Sequence, residues 1–251
     1  MSLYIEKTEL FHVHTYRCRY AEEIPDEAYV KKAIALGASG ILFSDHTPFP
    51  GNPFGNRMDI EQLPEYLHTI QALKEKYADS IAVRAGLEIE YLPSFRGFYE
   101  ELRENPLLDF IMIGQHMYEV SPGLYSFQLS SSEKNMSEHI GCMEAMIQGI
   151  ESGLFDVVAH PDRCFKRRKE WTDEMTDLSV HLIGVACKAG MKLEKNLESM
   201  KRKRNYREEF WDLVPDTADI VIGTDAHSLE ELVEKWDIQQ LYYCEERCER
   251  L

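Results

Sequence analysis

Short apolar runs alternate with longer stretches of helical spacing along the 251 residues of this chain. Seven runs rich in Val, Ile, Leu and Phe recur: ELFHVH (9–14), GILFSDH (40–46), IAVRAGLEIE (81–90), DFIMIGQH (109–116), FDVVAHP (155–161), MKLEKN (191–196) and DIVIGTDAH (219–227). Their length and residue types predict strands. Between them, apolar residues recur three and four positions apart, as Ala28, Val30, Ala33, Ile34 and Leu36 do within 25–36. That spacing predicts a helix there and others over 60–77, 133–151, 172–189 and 229–236. Asp26 and Glu27 follow Pro25 at the start of the first helix and Gly37 stops it, as capping preferences require. Strand followed by helix, repeated, means a mostly parallel sheet. Seven such units in about 250 residues fit a closed or nearly closed barrel. A doubly wound sheet fits less well, because no glycine-rich dinucleotide loop follows the first strand. With no internal repeat, low-complexity tract or flexible linker, residues 1–251 are expected to form a single α/β domain.

Composition narrows the function classes. Hydrophobic residues make up 44% and charged residues 29%, the balance of an ordinary globular protein rather than a disordered one. The longest apolar stretches, such as 110–114, fall far short of the roughly 18 residues of a membrane span. The N-terminal MSLYIEKTEL lacks the basic and apolar regions of an export signal, so a cytoplasmic protein is expected. A net charge of −16 argues against nucleic acid as a partner, since that binding rests on many Lys and Arg contacts to phosphate. The six cysteines are far apart and form no CxxC pair, and are expected to be reduced thiols.

The candidate chemistry lies in where the histidines fall. Six of the nine, His12, His14, His46, His116, His160 and His227, stand at the C-terminal ends of expected strands, as do Glu88 and Asp225. In a parallel barrel those ends converge on one face, so residues remote in sequence become neighbours. Residues i and i+2 of a strand share a face, which lets His12 and His14, or Asp225 and His227, address one cation. Imidazoles with carboxylates suit Zn, Mn or Fe(II). Eight ligand candidates exceed what one tetrahedral ion takes, which points to two ions, with Glu88 as a bridging carboxylate. His68, His139 and His181 fall in expected helices and are read as structural.

FHVHT, FSDHTPFP, GLEIEY, IGQHM, VVAHPDR and VIGTDAHS occur in this order over nearly the whole chain. Together they resemble the polymerase and histidinol phosphatase (PHP) superfamily, and FSDHTPFP most resembles its histidinol-phosphatase branch. The resemblance implies a distorted seven-stranded, TIM-like (β/α)7 barrel with a cluster of up to three divalent metal ions that hydrolyses phosphate esters. It places the metal ligands on His12, His14, His46, Glu88, His116, His160, Asp225 and His227. Two positions depart from it. Many relatives carry an acid two residues before the first ligand histidine, where this chain has Leu10. Histidinol phosphatases also tend to carry a further ligand histidine six residues after the second, where this chain has Tyr20.

Against the acidic background, two basic clusters stand out: Arg163, Lys166, Arg167, Arg168 and Lys169 after the fifth run, and Lys201 to Arg204 with Arg207 after the sixth. Guanidinium groups match phosphate oxygens bidentately and an ammonium group offers a point charge, so Arg163, Arg167 and Lys201 are the candidate substrate-binding residues. The expected reaction is metal-assisted attack of water on a small phosphate monoester, with Glu88 and Asp225 as the catalytic carboxylates. L-Histidinol phosphate is the first expectation for the substrate. The alternatives are another small phosphate, such as a nucleotide or sugar phosphate, and a metal-binding domain without catalysis.

Overall fold

The structure is a computed structural model that describes residues 3–201 and 205–232. In chain order the elements are β1 (Glu9–Val13), α1 (Asp26–Ala35), β2 (Gly40–His46), α2 (Leu63–Lys76), β3 (Ala82–Ile89), α3 (Arg96–Arg103), β4 (Phe110–Ile113), β5 (Glu119–Ser121), β6 (Leu124–Tyr125), α4 (Ser131–Ser152), β7 (Val157–Val158), α5 (Asp173–Ala189), β8 (Lys192–Asn196), α6 (Leu197–Lys201), α7 (Glu208–Trp211) and β9 (Ile220–Ala226). Seven strands close a barrel in the order β1, β2, β3, β4, β7, β8, β9, and β5 with β6 forms a separate two-stranded sheet. Each barrel strand falls within one of the seven apolar runs. No helix among the described residues is long and apolar enough to cross a membrane.

The chain groups into two compact units, one on Ile5–Ala85 with the segment from Ile222, the other on Gly86–Val221. In the first, β1 pairs in parallel with β2 and with β9. Every residue of β1 and of β2 is buried, and Tyr29, Val30 and Ala33 of α1 with Tyr66, Leu67 and Ile70 of α2 supply the helix-side core. Glu9 at the base of β1 pairs with Arg84 and accepts from the Glu6 backbone at 2.7 Å. A buried Arg17 joins Asp26 at 2.7 Å and Glu65 at 2.8 Å, tying the turn after β1 to both helices.

In the second unit β3, β4, β7 and β8 pair in parallel in that sequence. Helix α4, opened by a Ser130–Glu133 capping box and closed by Gly153 in the left-handed conformation, packs along α5. Strand β7 is only two residues long, because His160 takes a positive φ of 29° and Pro161 follows it without an N–H to donate.

The structure departs from the sequence expectation in its small elements. Helix α3 and the β5–β6 hairpin are too short to announce themselves by periodicity. The 60–77 helix opens with a 3-10 turn, Ile60–Gln62, before α2. Residues 229–232 of the last expected helix lie in turns, and 233–236 lie outside the described residues.

Gly86 faces Phe110 across the β3–β4 pair so closely that a methyl group there would overlap the aromatic ring. Gly86→Ala is expected to lower stability by about 1 to 3 kcal/mol through overpacking. Urea unfolding checks this, and an unchanged midpoint would show that the ring can move aside.

Candidate metal centre

In the first unit the strand ends assemble an imidazole–carboxylate cluster. His12 Nε2 lies 3.0 Å from His14 Nε2, and Asp225 Oδ1 stands 3.5 Å from the former and 3.3 Å from the latter. The expected cause, regular two-residue alternation, is not what brings them together. His12 has φ 67°, and Phe11 and Val13 of β1 face consecutive residues Leu42 and Phe43 of β2. A β-bulge therefore turns the His12 side chain towards His14. Asp225 repeats the device on β9, with φ 52° and a register shift against β1. Left-handed backbone at non-glycine residues costs energy and clusters at functional sites.

His227 Nδ1 donates to the Asp225 backbone carbonyl at 2.9 Å, which leaves Nε2 to carry the lone pair. That Nε2 is buried and has no hydrogen-bond partner among the described residues. The His14 and His227 rings stack at 4.2 Å and 10°. Burial, and then the neighbouring His227, hold His14 well below the usual imidazole value, and burial likewise lowers His227. Burial opposes ionisation of Asp225, but His12, His14 and His227 around it outweigh that and keep its carboxyl well below the usual range. Neutral imidazoles beside an ionised carboxylate are the donor set a divalent ion requires. Cys18 Sγ lies within 4.8 Å of nitrogens on His14 and His227, but burial, reinforced by Asp45, pushes the thiol up to about 12. It stays protonated at neutral pH. Cys142 and Cys164 are also buried free thiols, and Cys187 is an exposed one.

In the second unit Glu88, 1% exposed, accepts from His160 Nε2 at 2.8 Å and lies 3.6 Å from His116 Nε2. Burial pushes His116 down to about 3, against the pull of Glu88 and with the help of the Arg163 charge. Two buried acids that the sequence reading missed support these histidines. Glu90 Oε1 takes the His116 Nδ1 side at 3.1 Å, and Glu194 Oε2 accepts from the His160 backbone N–H at 3.0 Å. In the first unit Asp45 plays a similar part, accepting from the Thr15 N–H at 2.6 Å and lying 3.8 Å from His14 Nδ1. Burial raises Asp45 to about 6 despite the Thr15 hydrogen bonds. Acids of this kind fix the tautomer and orientation of ligand histidines. Glu90 had a signal, since it follows Glu88 by two positions, and Glu194 had one as a charge inside a strand-like run.

The basic candidates separate. Arg163 is half-buried, faces His116 closely enough to bear on its protonation, and its guanidinium has no acidic partner among the described residues. Arg167 is ion-paired with Glu138 of α4. Arg207 donates to the carbonyls of Phe165 and Arg168 and holds the Pro161–Arg167 turn in shape. Lys201 is exposed at the end of α6. The three helix histidines lie apart: His68 and His181 are exposed, and buried His139 meets Glu174 at 3.3 Å.

The PHP domain family matches residues 11–198. A Deinococcus radiodurans protein named "Probable histidinol-phosphatase" is 30% identical over 231 residues, covering 88% of this chain and 86% of its own length. The chain belongs to the PHP family. Two solved structures share the PHP fold. A Listeria monocytogenes protein named "putative histidinol phosphatase hisK" aligns with TM-score 0.75 at 18% identity, over 92% of this chain and 99% of that one. A Lactococcus lactis histidinol phosphate phosphatase, complexed with Zn, L-histidinol and phosphate, aligns with TM-score 0.65 at 22% identity, over 89% of this chain and 87% of that one.

Within the PHP domain, Gly114 lies against the Glu88 carboxylate, and a methyl group there would overlap it. Gly114→Ala should therefore push the carboxylate off His160 and weaken zinc retention about 10- to 100-fold while the protein stays folded. Equilibrium dialysis against zinc, with circular dichroism as the folding control, checks this. Zinc affinity equal to that of the wild type would remove the close approach from the argument.

Proposed function

We propose that the chain is a metal-dependent phosphatase of small phosphate monoesters, and that L-histidinol phosphate is its substrate. The observation that carries this reading is the 231-residue match, over most of both chains, to the Deinococcus protein of that name. The site chemistry supports it. We assign His12, His14, Glu88, His116, His160, Asp225 and His227 as ligands of two divalent ions, with His46 the eighth candidate. Zinc is the first choice and Mn or Fe(II) the alternatives, because neutral imidazole and carboxylate donors suit all three. The ions supply Lewis acidity towards the phosphate ester and activation of water for attack.

The rest falls to the chain's own groups. Arg163, which has no acidic partner among the described residues, orients the phosphate and offsets the charge on its oxygens. Glu90 and Glu194 keep His116 and His160 in position. Asp225, held ionised among imidazoles, is the group placed to accept or pass a proton in the first unit. Glu88 is the carboxylate that two imidazoles address at once, which suits a bridge between ions. Arg167, committed to Glu138, and exposed Lys201 are assigned lesser parts, at the edge of substrate binding. The reading places the protein in histidine biosynthesis, in the cytoplasm, with a small phosphorylated metabolite rather than nucleic acid as its partner. A second reading, another small phosphate as substrate, is favoured by Tyr20 at a position where histidinol phosphatases tend to carry histidine.

Phosphate release from L-histidinol phosphate by the zinc-loaded protein decides between the two. Hydrolysis of other monoesters without that of L-histidinol phosphate would reject the histidine-pathway reading. Glu88→Ala is expected to lower turnover at least about 100-fold, because a bridging carboxylate serves both ions. Arg163→Ala should cost about 2 to 3 kcal/mol in kcat/KM, the scale of a charge-assisted hydrogen bond, with zinc content unchanged. Steady-state kinetics and metal analysis check both, and loss of zinc from the Arg163 variant would give that residue a different role.

A further inference from the structure

The geometry points to Gln115 as a positioning residue for the metal centre: its side-chain amide ties the ends of β3 and β4 together where their backbone ladder stops, and so holds His116 against Glu90. This rests on the metal-centre reading above, in which His116 is a ligand. The backbone pairing of the two strands ends with the Gly114 N–H on the Ile89 carbonyl at 2.9 Å. In a continued parallel ladder the next rung would fall on Tyr91, two residues after Ile89. Gln115 supplies that rung from its side chain. Its Oε1 accepts from the Tyr91 N–H at 2.9 Å, and its Nε2 donates to the Tyr91 carbonyl at 3.1 Å. Nε2 also donates to the Met117 carbonyl at 2.5 Å. Only one orientation of the amide satisfies all three bonds, because the oxygen must meet the N–H and the nitrogen the two carbonyls.

The residue that gains from this arrangement is His116. The chain bends there instead of continuing β4. Its two neighbours are both held by the amide, Gln115 through its own bonds and Met117 through its carbonyl. On the facing strand end the amide fixes Tyr91, the neighbour of Glu90, whose Oε1 takes the Nδ1 side of His116 at 3.1 Å. Tyr99 holds the same segment independently, accepting from the Leu92 N–H at 3.0 Å and donating to the Glu90 carbonyl at 2.9 Å. Gln115 thus sets the spacing between a ligand and the acid that fixes its tautomer, the tautomer that leaves Nε2 for an ion. Gln115 is 4% exposed and Glu90 1%, so water has little access to these bonds. A shift that broke one of them would leave a buried polar group unsatisfied, which keeps the strand ends in a single geometry. Both amide hydrogens are committed to backbone, so Gln115 acts through His116 rather than on the substrate.

Zinc affinity, measured on the full-length protein by competition with a chelator, tests this. The proteins compared are the wild type, Gln115→Met, Gln115→Asn, His116→Ala and each Gln115 variant combined with His116→Ala, with circular dichroism as the folding control. Gln115→Met keeps the length of the side chain and loses all three hydrogen bonds, and Gln115→Asn keeps the amide but withdraws it by one methylene. Each is expected to weaken zinc binding about 10- to 100-fold, the usual effect of removing a group that orients a ligand. Added to His116→Ala, either should weaken it by less than about twofold further, since nothing is left to position. A packing role alone would give equal losses with and without His116, and that result overturns the inference. Zinc affinity of wild-type strength in either Gln115 variant also overturns it. If Gln115→Met does not fold, Gln115→Asn carries both comparisons. Failure of the underlying reading is visible separately: His116→Ala binding zinc as the wild type does would remove His116 from the ligand set and the inference with it. Zinc loss from His116→Ala with none from the Gln115 variants would overturn the positioning role alone.

Discussion

Two carboxylates, Glu88 buried and Asp225 half-buried, each surrounded by histidine rings, are the constraint on which the other features depend. A buried charge is tolerable only with close partners, and an isolated one would instead take up a proton. Asp225 satisfies this with His12, His14 and His227, and Glu88 with His160 and His116. The imidazoles are in turn kept from protonating by their own burial, most clearly at His14 and His116. The result is a set of lone pairs and negative charge with few internal protons to neutralise it, an arrangement that a divalent cation completes.

Holding such groups together takes local backbone strain. His12, His160 and Asp225 all have positive φ, and two of them sit where strand register slips. Regular β geometry would send alternate side chains to opposite faces of the sheet. The bulges re-aim single residues at the strand end without disturbing the apolar pairs below, such as Phe11 with Leu42. The buried strands and the helices against them are the stable scaffold that keeps those conformations in place.

Within each unit the supporting acids and the basic residues divide the remaining work. Glu90, Glu194 and Asp45 are all buried, and each contacts a histidine or the turn that carries one. Arg163 keeps its charge available while its neighbours are spent on the fold: Arg167 on Glu138, Arg168 on the Asn135 carbonyl and Arg207 on the Pro161–Arg167 turn.

The residue pattern alone determined the barrel and the ring of histidines at its strand ends, because both follow from short-range regularities. Apolar runs of strand length alternating with amphipathic stretches leave few topologies, and a polar residue at the end of a buried parallel strand has one face to reach. The tertiary structure decided what depends on distance between remote residues. His12 and His14 are two apart in sequence, yet they meet through a bulge that arises from pairing with β2 and β9 and leaves no mark in the composition of ELFHVH. Five basic residues within 163–169 are indistinguishable in the sequence, and the 3-10 turn that sorts Arg163 from Arg167 is shaped by Arg207, some forty positions away. Tyr20 was visible as an unusual residue, but its hydroxyl on His46 requires a chain reversal at Arg19 and the packing of Arg17. Periodicity carries the information for burial and direction. The pairing of particular polar atoms is set by the folded backbone, whose φ values answer to neighbours far along the chain.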